Sequence, residues 1–277
     1  MGFMQIRGET KQRIHISEIN VLIIESTAVS ITTGLLNELV KNKVKVIFCN
    51  EKHNPSSELI AIYGSHDTSR ALKSQINWTQ LTKDLTWQRI IRSKITNQAN
   101  VLLETGKEAE AKILLSYIFD VEPGDRTNRE GHAAKVYFNT LFDEEFVRHS
   151  GGIYNAALDY GYAIILAVFN REVVAQGRVT QLGIWHDNVF NQFNLSSDLM
   201  EPFRPLIDKF VIAMDFSNSD TELNPEHKHQ LLKILEYEVR FDEKNYKLTN
   251  AISTYTKRVL DALDDDTLVD IQGLKYG

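Results

Sequence analysis

The chain has one cysteine and no apolar stretch long enough to span a bilayer. Cys49 has no partner for an internal disulfide, which is typical of a reducing compartment. The longest purely apolar run, residues 163–169, is far shorter than the roughly 20 residues of a transmembrane helix. Residues 1–10 lack the basic start and apolar stretch of a signal peptide. These absences predict a cytoplasmic protein with no membrane partner.

Common catalytic and nucleotide-binding motifs are also missing. There is no G-x-G-x-x-G or Walker-type glycine loop, no G-x-S-x-G, and no H-E-x-x-H or C-x-x-C metal motif. The net charge of −6 argues mildly against nucleic-acid binding. However, the acidity is concentrated in residues 181–277, with ten basic against seventeen acidic side chains. A basic surface elsewhere on the molecule therefore stays compatible with the composition.

The first seventy residues have the patterns of short strands with one helix between them. Arg13–Ile16 alternates polar and apolar residues, and Val21–Ile24 is a short apolar run typical of a buried strand. Thr32–Lys41 has helical spacing of its leucines, and Val44–Phe48 returns to a strand pattern. A further strand is predicted over residues 59–63.

From about residue 69 onward the apolar residues recur at helical spacing. The predicted helices are Trp87–Leu103, Ala109–Phe119, Thr127–Phe142, Ile153–Ala175, Pro225–Tyr237 and Leu248–Leu263. Residues 238–246 predict a small hairpin. The sequence thus predicts an α+β protein, with a β-rich N-terminal domain over residues 1–68 and an all-helical C-terminal domain over residues 80–277.

One apolar segment, residues 185–208, carries His186, Asp198 and Glu201. Charged groups are costly to bury unless they are paired or bind a metal. The spacing of the two acids favours one face of a helical turn, although Pro202 disfavours a helical backbone at Glu201. Glu130 heads another apolar helix upstream. These four residues are the candidates for a cation site.

Each candidate also has a purely structural interpretation. Thr127 and Glu130 fit a T-x-x-E capping box. His186 fits a satisfied core histidine, and Asp198 fits an acid in the first turn of a helix. Residue types and spacing leave the metal-binding and structural interpretations open.

Three helical motifs resemble a known family. The chain is similar to the CRISPR-associated adaptation integrase (Cas-one) family, in its type II-A version, and the resemblance extends to IHISEINVLIIEST and KVKVIFCNEK near the N-terminus. The motifs are REGHAAKVYFNTLF (129–142), YNAALDYGYAIILA (154–167) and GIWHDNVFNQFNLSSDLMEPFRPLID (183–208). Family members begin with about twenty further residues that form a first hairpin, so we expect that hairpin to be missing here.

The resemblance implies a catalytic metal trio of Glu130, His186 and Glu201, with Asp198 as a neighbouring catalytic group. Mg²⁺ or Mn²⁺ suits such ligands. Arg204 has an alternative role in a salt bridge to Asp208 or Asp198. The candidate contacts to DNA phosphates are Arg89, Arg92, Lys135, Arg178 and Arg204.

The implied function is insertion of double-stranded protospacer DNA into a bacterial CRISPR array, with the protospacer 3′-hydroxyl as the attacking group. The implied partners are a second copy of the chain in a homodimer and the small Cas-two subunit in a heterohexamer. Type II-A relatives add an RNA-guided nuclease and a ring-shaped accessory protein. Two alternatives stay open: a metal-dependent endonuclease on branched DNA, and a non-catalytic DNA-binding scaffold.

Overall fold

Short strands come first in the structure and helices follow, which confirms the predicted α+β class. The computed structural model describes residues 2–8, 10–51, 54–62, 65, 67–142, 146–217, 222–271 and 274. Two hydrophobic clusters lie within these residues, a small one among the N-terminal strands and a large one among the helices. The boundaries predicted for the two domains stay predictions.

The described chain opens on an antiparallel hairpin of β1 (Phe3–Arg7) and β2 (Lys11–His15). Strand β2 overlaps the strand predicted over Arg13–Ile16. The expected absence of the family's first hairpin stays a prediction. Met4 is the buried residue of the β1–β2 hairpin and packs in the small N-terminal cluster. The hairpin is thereby attached to the strands that follow it.

A β-α-β unit follows the hairpin. Strand β3 (Val21–Ile24) pairs in parallel with β4 (Lys45–Cys49), and helix α1 (Thr33–Lys41) makes the connection. The hydroxyl of Thr32 caps α1 by accepting the N–H of Leu35 at 3.3 Å.

Strand β5 (Pro55–Leu59) runs antiparallel to β4. The strand predicted over residues 59–63 is therefore wrong, because β5 ends where that prediction begins. Residues 60–62 are not in a strand, and Tyr63 lies outside the described residues.

Helix α3 (Gln80–Glu104) is the axis of the helical region, and α2 (Thr68–Ile76) precedes it. Thr79 caps α3 by accepting the N–H of Thr82 at 3.2 Å. Buried residues lie on several faces of α3, because α4, α5 and α8 all pack against it. A helix enclosed in this way holds its polar side chains in fixed positions.

Four predicted helices are confirmed to within two residues at their ends, as is the C-terminal hairpin: Ala109–Phe119, Thr127–Phe142, Ile153–Ala175 and Leu248–Leu263. The helix predicted from Trp87 begins earlier, at Gln80, the helix predicted over Pro225–Tyr237 ends at Leu232, and two helices between residues 194 and 212 were not predicted. The remaining elements complete the fold. They are α4 (Glu108–Tyr117), α5 (Arg129–Leu141), α6 (Ile153–Ala175), α7 (Asn194–Met200), α8 (Arg204–Ile212), α9 (Pro225–Leu232), β6 (Glu238–Phe241), β7 (Lys244–Lys247) and α10 (Leu248–Asp264). Among the described residues, none of the helices combines the length and apolarity needed to cross a membrane.

Helices α6 and α8 approach closely at Gly161. A Cβ atom at this position would lie 2.5 Å from Cγ2 of Ile207, which is shorter than any ordinary contact. Ile207 is itself fully buried and cannot move away into solvent. The glycine is therefore required by packing between the helices.

We expect Gly161→Ala to destabilise the protein by up to about 2 kcal/mol, because an overpacking cost of about 1–3 kcal/mol outweighs the gain in helix propensity of about 1 kcal/mol. Urea unfolding measures the change. In an Ile207→Ala background the same substitution should cost less or stabilise, since the clashing methyl group is gone. An equal cost in both backgrounds would contradict this account of the contact.

Candidate active site

Glu130 lies in the first turn of α5, but it does not cap the helix. Asn128 is the N-cap, in the left-handed region at φ 51°, and its Oδ1 accepts the N–H of Gly131 at 3.3 Å. The Asp125 carboxylate accepts the backbone N–H of Glu130 at 3.0 Å. Thr127 instead donates its hydroxyl to a carbonyl of the preceding turn. The capping-box interpretation is wrong, and the Glu130 side chain is left for another partner.

Glu201 lies in a short 3₁₀ turn between α7 and α8, and its backbone is helical at φ −52° and ψ −44°. The expectation that Pro202 would keep Glu201 out of a helical conformation is wrong. Pro202 starts a new turn, where its missing N–H costs nothing. Glu201 Oε1 accepts from Nε of Arg204 at 2.7 Å. The ion pair expected from Arg204 to Asp208 or Asp198 is thus made to Glu201.

Both glutamates bind one lysine that the sequence analysis missed. Nζ of Lys94, on α3, lies 2.6 Å from Oε1 of Glu130 and 2.5 Å from Oε2 of Glu201. Lys94 is buried, and burial alone would lower its pKa. The two carboxylates outweigh the burial and raise the pKa of Lys94 above its ordinary value. The lysine is therefore a permanent cation between the two acids.

Glu201 responds to the same charges in the opposite sense. Its side chain is only 5% exposed, and this burial opposes ionisation. The guanidinium of Arg204 and the ammonium of Lys94 outweigh the burial and lower the pKa of Glu201 to about 2. Glu201 is therefore ionised at neutral pH despite its burial.

Asp198 shapes the loop that carries His186. Oδ2 of Asp198 accepts the N–H groups of Ile184 at 2.6 Å and Trp185 at 2.9 Å, and Oδ1 accepts the N–H of His186 at 3.2 Å. Oδ1 also binds Nδ1 of the His186 ring. Asp198 lies in the middle of α7 and not in its first turn, so the helix-dipole interpretation is wrong. Its carboxylate holds the backbone of residues 184–186, the histidine loop, in place.

The bond to Asp198 sets the chemistry of His186. With Nδ1 engaged by the carboxylate, Nε2 is the nitrogen left to bind a ligand, an arrangement common behind metal-bound histidines. The hydrogen bond to Asp198 raises the pKa of His186, against the effect of burial. The charges of Glu201 and Glu130 raise the same pKa further. Both predicted glutamate ligands therefore act electrostatically on the His186 ring.

The histidine loop is also fixed against α3. The Trp185 ring stacks on Trp87 with 5.8 Å between centroids, and the His186 ring meets Trp87 edge-on at 5.6 Å. A Cβ on Gly183 would lie 2.3 Å from the carbonyl oxygen of His186, so only glycine fits there. Trp87 is two helical turns before Lys94. One helix thus positions both the ammonium and the imidazole.

Comparison with known proteins identifies the family. The sequence profile described as CRISPR associated protein Cas1 matches residues 3–227. The chain belongs to the Cas1 family. It is 36% identical to the CRISPR-associated endonuclease Cas1 of Neisseria meningitidis serogroup C (strain 8013), over 90% of this chain and 82% of that protein. The predicted family is thereby confirmed.

Solved structures agree in fold with this Cas1-family chain. A casposase bound to integration product has a TM-score of 0.80 at 19% identity, over 97% of this chain and 86% of that one. A CAS1 protein from Thermotoga maritima has a TM-score of 0.73 at 13% identity, over 98% and 94% of the two chains. At these identities the likeness concerns the fold.

Three of the five cations predicted to contact DNA are engaged within the protein. Arg178 pairs with Asp264 at the end of α10. Arg92 donates to the carbonyl of Val121 at 3.0 Å. Arg204 pairs with Glu201, as described above. These cations position other groups, and their contact with DNA stays a prediction.

The other two candidates are more accessible to a ligand. Arg89 on α3 is half-buried, and Lys135 on α5 is exposed. Within the part of the chain that the structure describes, neither takes part in an ion pair. Both lie on the helices that carry Lys94 and Glu130, which keeps them the better candidates for phosphate contacts.

Glu201→Gln should destabilise the protein at pH 7 by about 3–5 kcal/mol, because Lys94 and Arg204 lose their shared buried counterion. A carboxyl with a lowered pKa stabilises the fold above its unfolded pKa, near 4.5, and that contribution is lost as the pH falls toward about 2. The difference from the wild type, measured by urea unfolding, should therefore shrink over this range. Glu108→Gln, on the exposed first turn of α4, is the matched control. A difference independent of pH would contradict the assignment.

Asp198→Asn should lower the pKa of His186 toward its ordinary 6.5, because the amide cannot stabilise the imidazolium as the carboxylate does. It should also destabilise the protein by about 1–3 kcal/mol, since one amide oxygen cannot accept all four donors. A histidine NMR titration gives the pKa, with His186→Ala to assign the resonance. An unchanged pKa would show that the bond to Asp198 does not control the ring.

Proposed function

We propose that this chain is a divalent-metal-dependent DNA integrase, which joins the 3′-hydroxyl of a protospacer to a phosphodiester in a CRISPR array. The observation that supports this most directly is that Glu130 and Glu201, from different elements, converge on one cation, Lys94. Both glutamates also act electrostatically on His186, whose Nδ1 is held by Asp198. The casposase of similar fold is bound to an integration product. The Neisseria relative is named an endonuclease. Both relatives support DNA strand chemistry at this site.

The donor set fits Mg²⁺ or Mn²⁺. Two carboxylates supply hard oxygen ligands, and the free Nε2 of His186 adds a nitrogen that Mn²⁺ accepts. Among the described residues, no three acids or histidines already form a metal-holding cluster. The ammonium of Lys94 lies between the Glu130 and Glu201 carboxylates, at 2.6 and 2.5 Å from their oxygens. We propose that these residues bind the ion after the ammonium has moved away and the three side chains have closed on it.

The chain's own residues would prepare the site for a phosphodiester. When bound, the metal ion would act as a Lewis acid toward the phosphate. Asp198 holds the imidazole in one tautomer and orientation. Arg204 stays on Glu201, and Lys94 supplies positive charge beside the place where the phosphate would gain negative charge. No protein nucleophile is needed, because the DNA carries the attacking hydroxyl.

The proposed partners follow from the family. A solved Cas6-RT-Cas1–Cas2 complex has a TM-score of 0.73 with this chain at 16% identity, over 98% of this chain and 34% of that one. We propose a homodimer that assembles with a Cas2-type subunit and binds double-stranded DNA largely through its phosphates. The RNA-guided nuclease and the ring-shaped protein are proposed as further partners, and the cytoplasm of a bacterium as the location.

An endonuclease acting on branched DNA is the second candidate, favoured by the name of the Neisseria relative. It would use the same residues with water as the attacking group. Donor DNA with a blocked 3′ end separates the two functions, because joining needs that hydroxyl and hydrolysis does not. Joining that vanishes with the blocked donor supports the integrase.

Glu130→Gln, His186→Ala and Glu201→Gln should each reduce joining by at least about a hundredfold, the usual cost of losing one group that stabilises a transition state. Joining of fluorescent donor DNA to a repeat plasmid in Mn²⁺ measures the effect, with circular dichroism to confirm folding at the assay temperature. Glu108→Gln is the control and should join at the wild-type rate. Wild-type joining by the three folded variants, or DNA binding without any joining by the wild type, would favour the scaffold.

A further inference from the structure

Lys94 is a buried lysine that forms ion pairs with two of the predicted metal ligands. It is only 8% exposed, it lies among the apolar residues of α3, and both of its ion-pair partners are predicted metal ligands. A lysine is costly to bury, and replacing the whole cluster with apolar side chains would often be neutral for stability. Stability alone therefore does not account for a lysine here.

The ammonium of Lys94 reduces the repulsion between the carboxylates of Glu130 and Glu201. The oxygens of Glu130 and Glu201 that bind Lys94 can be no farther apart than the sum of two short hydrogen bonds. Two carboxylates that share a site disfavour each other's ionised form unless a cation lies between them. Lys94 thus keeps both acids charged and in place when no metal is bound.

The same position makes Lys94 a competitor of the metal. A divalent ion that binds both carboxylates must take the space of Nζ and meets the repulsion of its charge. The lysine stem has four rotatable carbons, so the head group can turn aside when another anion is offered. A DNA phosphate arriving at the site is such an anion.

We propose that Lys94 is a placeholder cation that couples metal binding to DNA binding, an inference that rests on the proposed function. Without DNA the ammonium holds Glu130 and Glu201 and keeps metal affinity low. With DNA bound, the ammonium moves to a phosphate oxygen and the metal takes the carboxylates. By linkage, DNA and metal then strengthen each other's binding. Lys94 acts on the metal through its ligands, as a positioning residue.

The test is the affinity of Mn²⁺ for the protein, measured by calorimetry without DNA and then with a 3′-blocked duplex. Lys94→Met should bind Mn²⁺ at least tenfold tighter than the wild type in the absence of DNA, because the competing charge is gone. DNA should raise the affinity of the wild type by a larger factor than that of the variant. Lys94→Arg, which keeps the cation, should bind like the wild type.

Lys45→Met is the matched control. Lys45 is another buried lysine, paired with Glu58 in the N-terminal region, and its loss should destabilise the fold without changing Mn²⁺ affinity. If Lys94→Met is unfolded without metal, the measurement becomes refolding by added Mn²⁺, which the proposal requires. Failure of Mn²⁺ to refold it overturns the proposal.

Two further results separate this proposal from the proposed function. Equal or weaker Mn²⁺ binding by folded Lys94→Met overturns the placeholder role, while the metal site itself stands if Glu130→Gln loses Mn²⁺ binding. A wild type that binds no Mn²⁺ with or without DNA overturns both.

Discussion

The site depends on the balance of four charges, two of them buried and two partly buried. Lys94 and Arg204 face Glu130 and Glu201, and each charge has an opposite neighbour within 2.7 Å. An unpaired charge in this position would cost several kcal/mol. Helices α3 and α5 and the turn between α7 and α8 must therefore all be in place together. The site is thus complete only when the helical region is folded.

The site has a buried side and a solvent-accessible side. Asp198 is fully buried and Glu201 nearly so, whereas the side chains of Glu130 and His186 are 25% and 43% exposed. A ligand can therefore reach the cluster at Glu130 and His186, and also at Arg204, whose side chain is 27% exposed. The buried pair fixes the geometry, and the exposed pair is where a phosphate would meet the protein. A site that is buried on one side and open on the other suits a long substrate that a closed pocket could not contain.

Periodicity predicted the helical region well, because an apolar stripe on a long helix has few alternative interpretations. The predicted helix Ile153–Ala175 has the observed bounds of α6. Sequence rules for helix capping failed at the start of α5, where two sets of residues could form the cap. Asn128 and Asp125 took the caps that Thr127 and Glu130 could have formed, since a left-handed residue at 128 redirects the chain. In the N-terminal hairpin the second strand was predicted over Arg13–Ile16, whereas the first strand, Phe3–Arg7, and the bounds of β5 were missed.

Lys94 shows what a single sequence can reveal of a site and what it cannot. Its place between Ile91 and Ile95 on the apolar stripe of α3 signals a buried cation, and that signal was available from spacing alone. Its partners were not, because Glu130 and Glu201 are 36 and 107 residues away and meet it only through packing. The four contacts that Asp198 accepts could not be predicted either, because their donors lie in a loop outside the helix that carries Asp198. A charged residue predicted to be buried therefore predicts a counterion, but only the three-dimensional structure identifies that counterion.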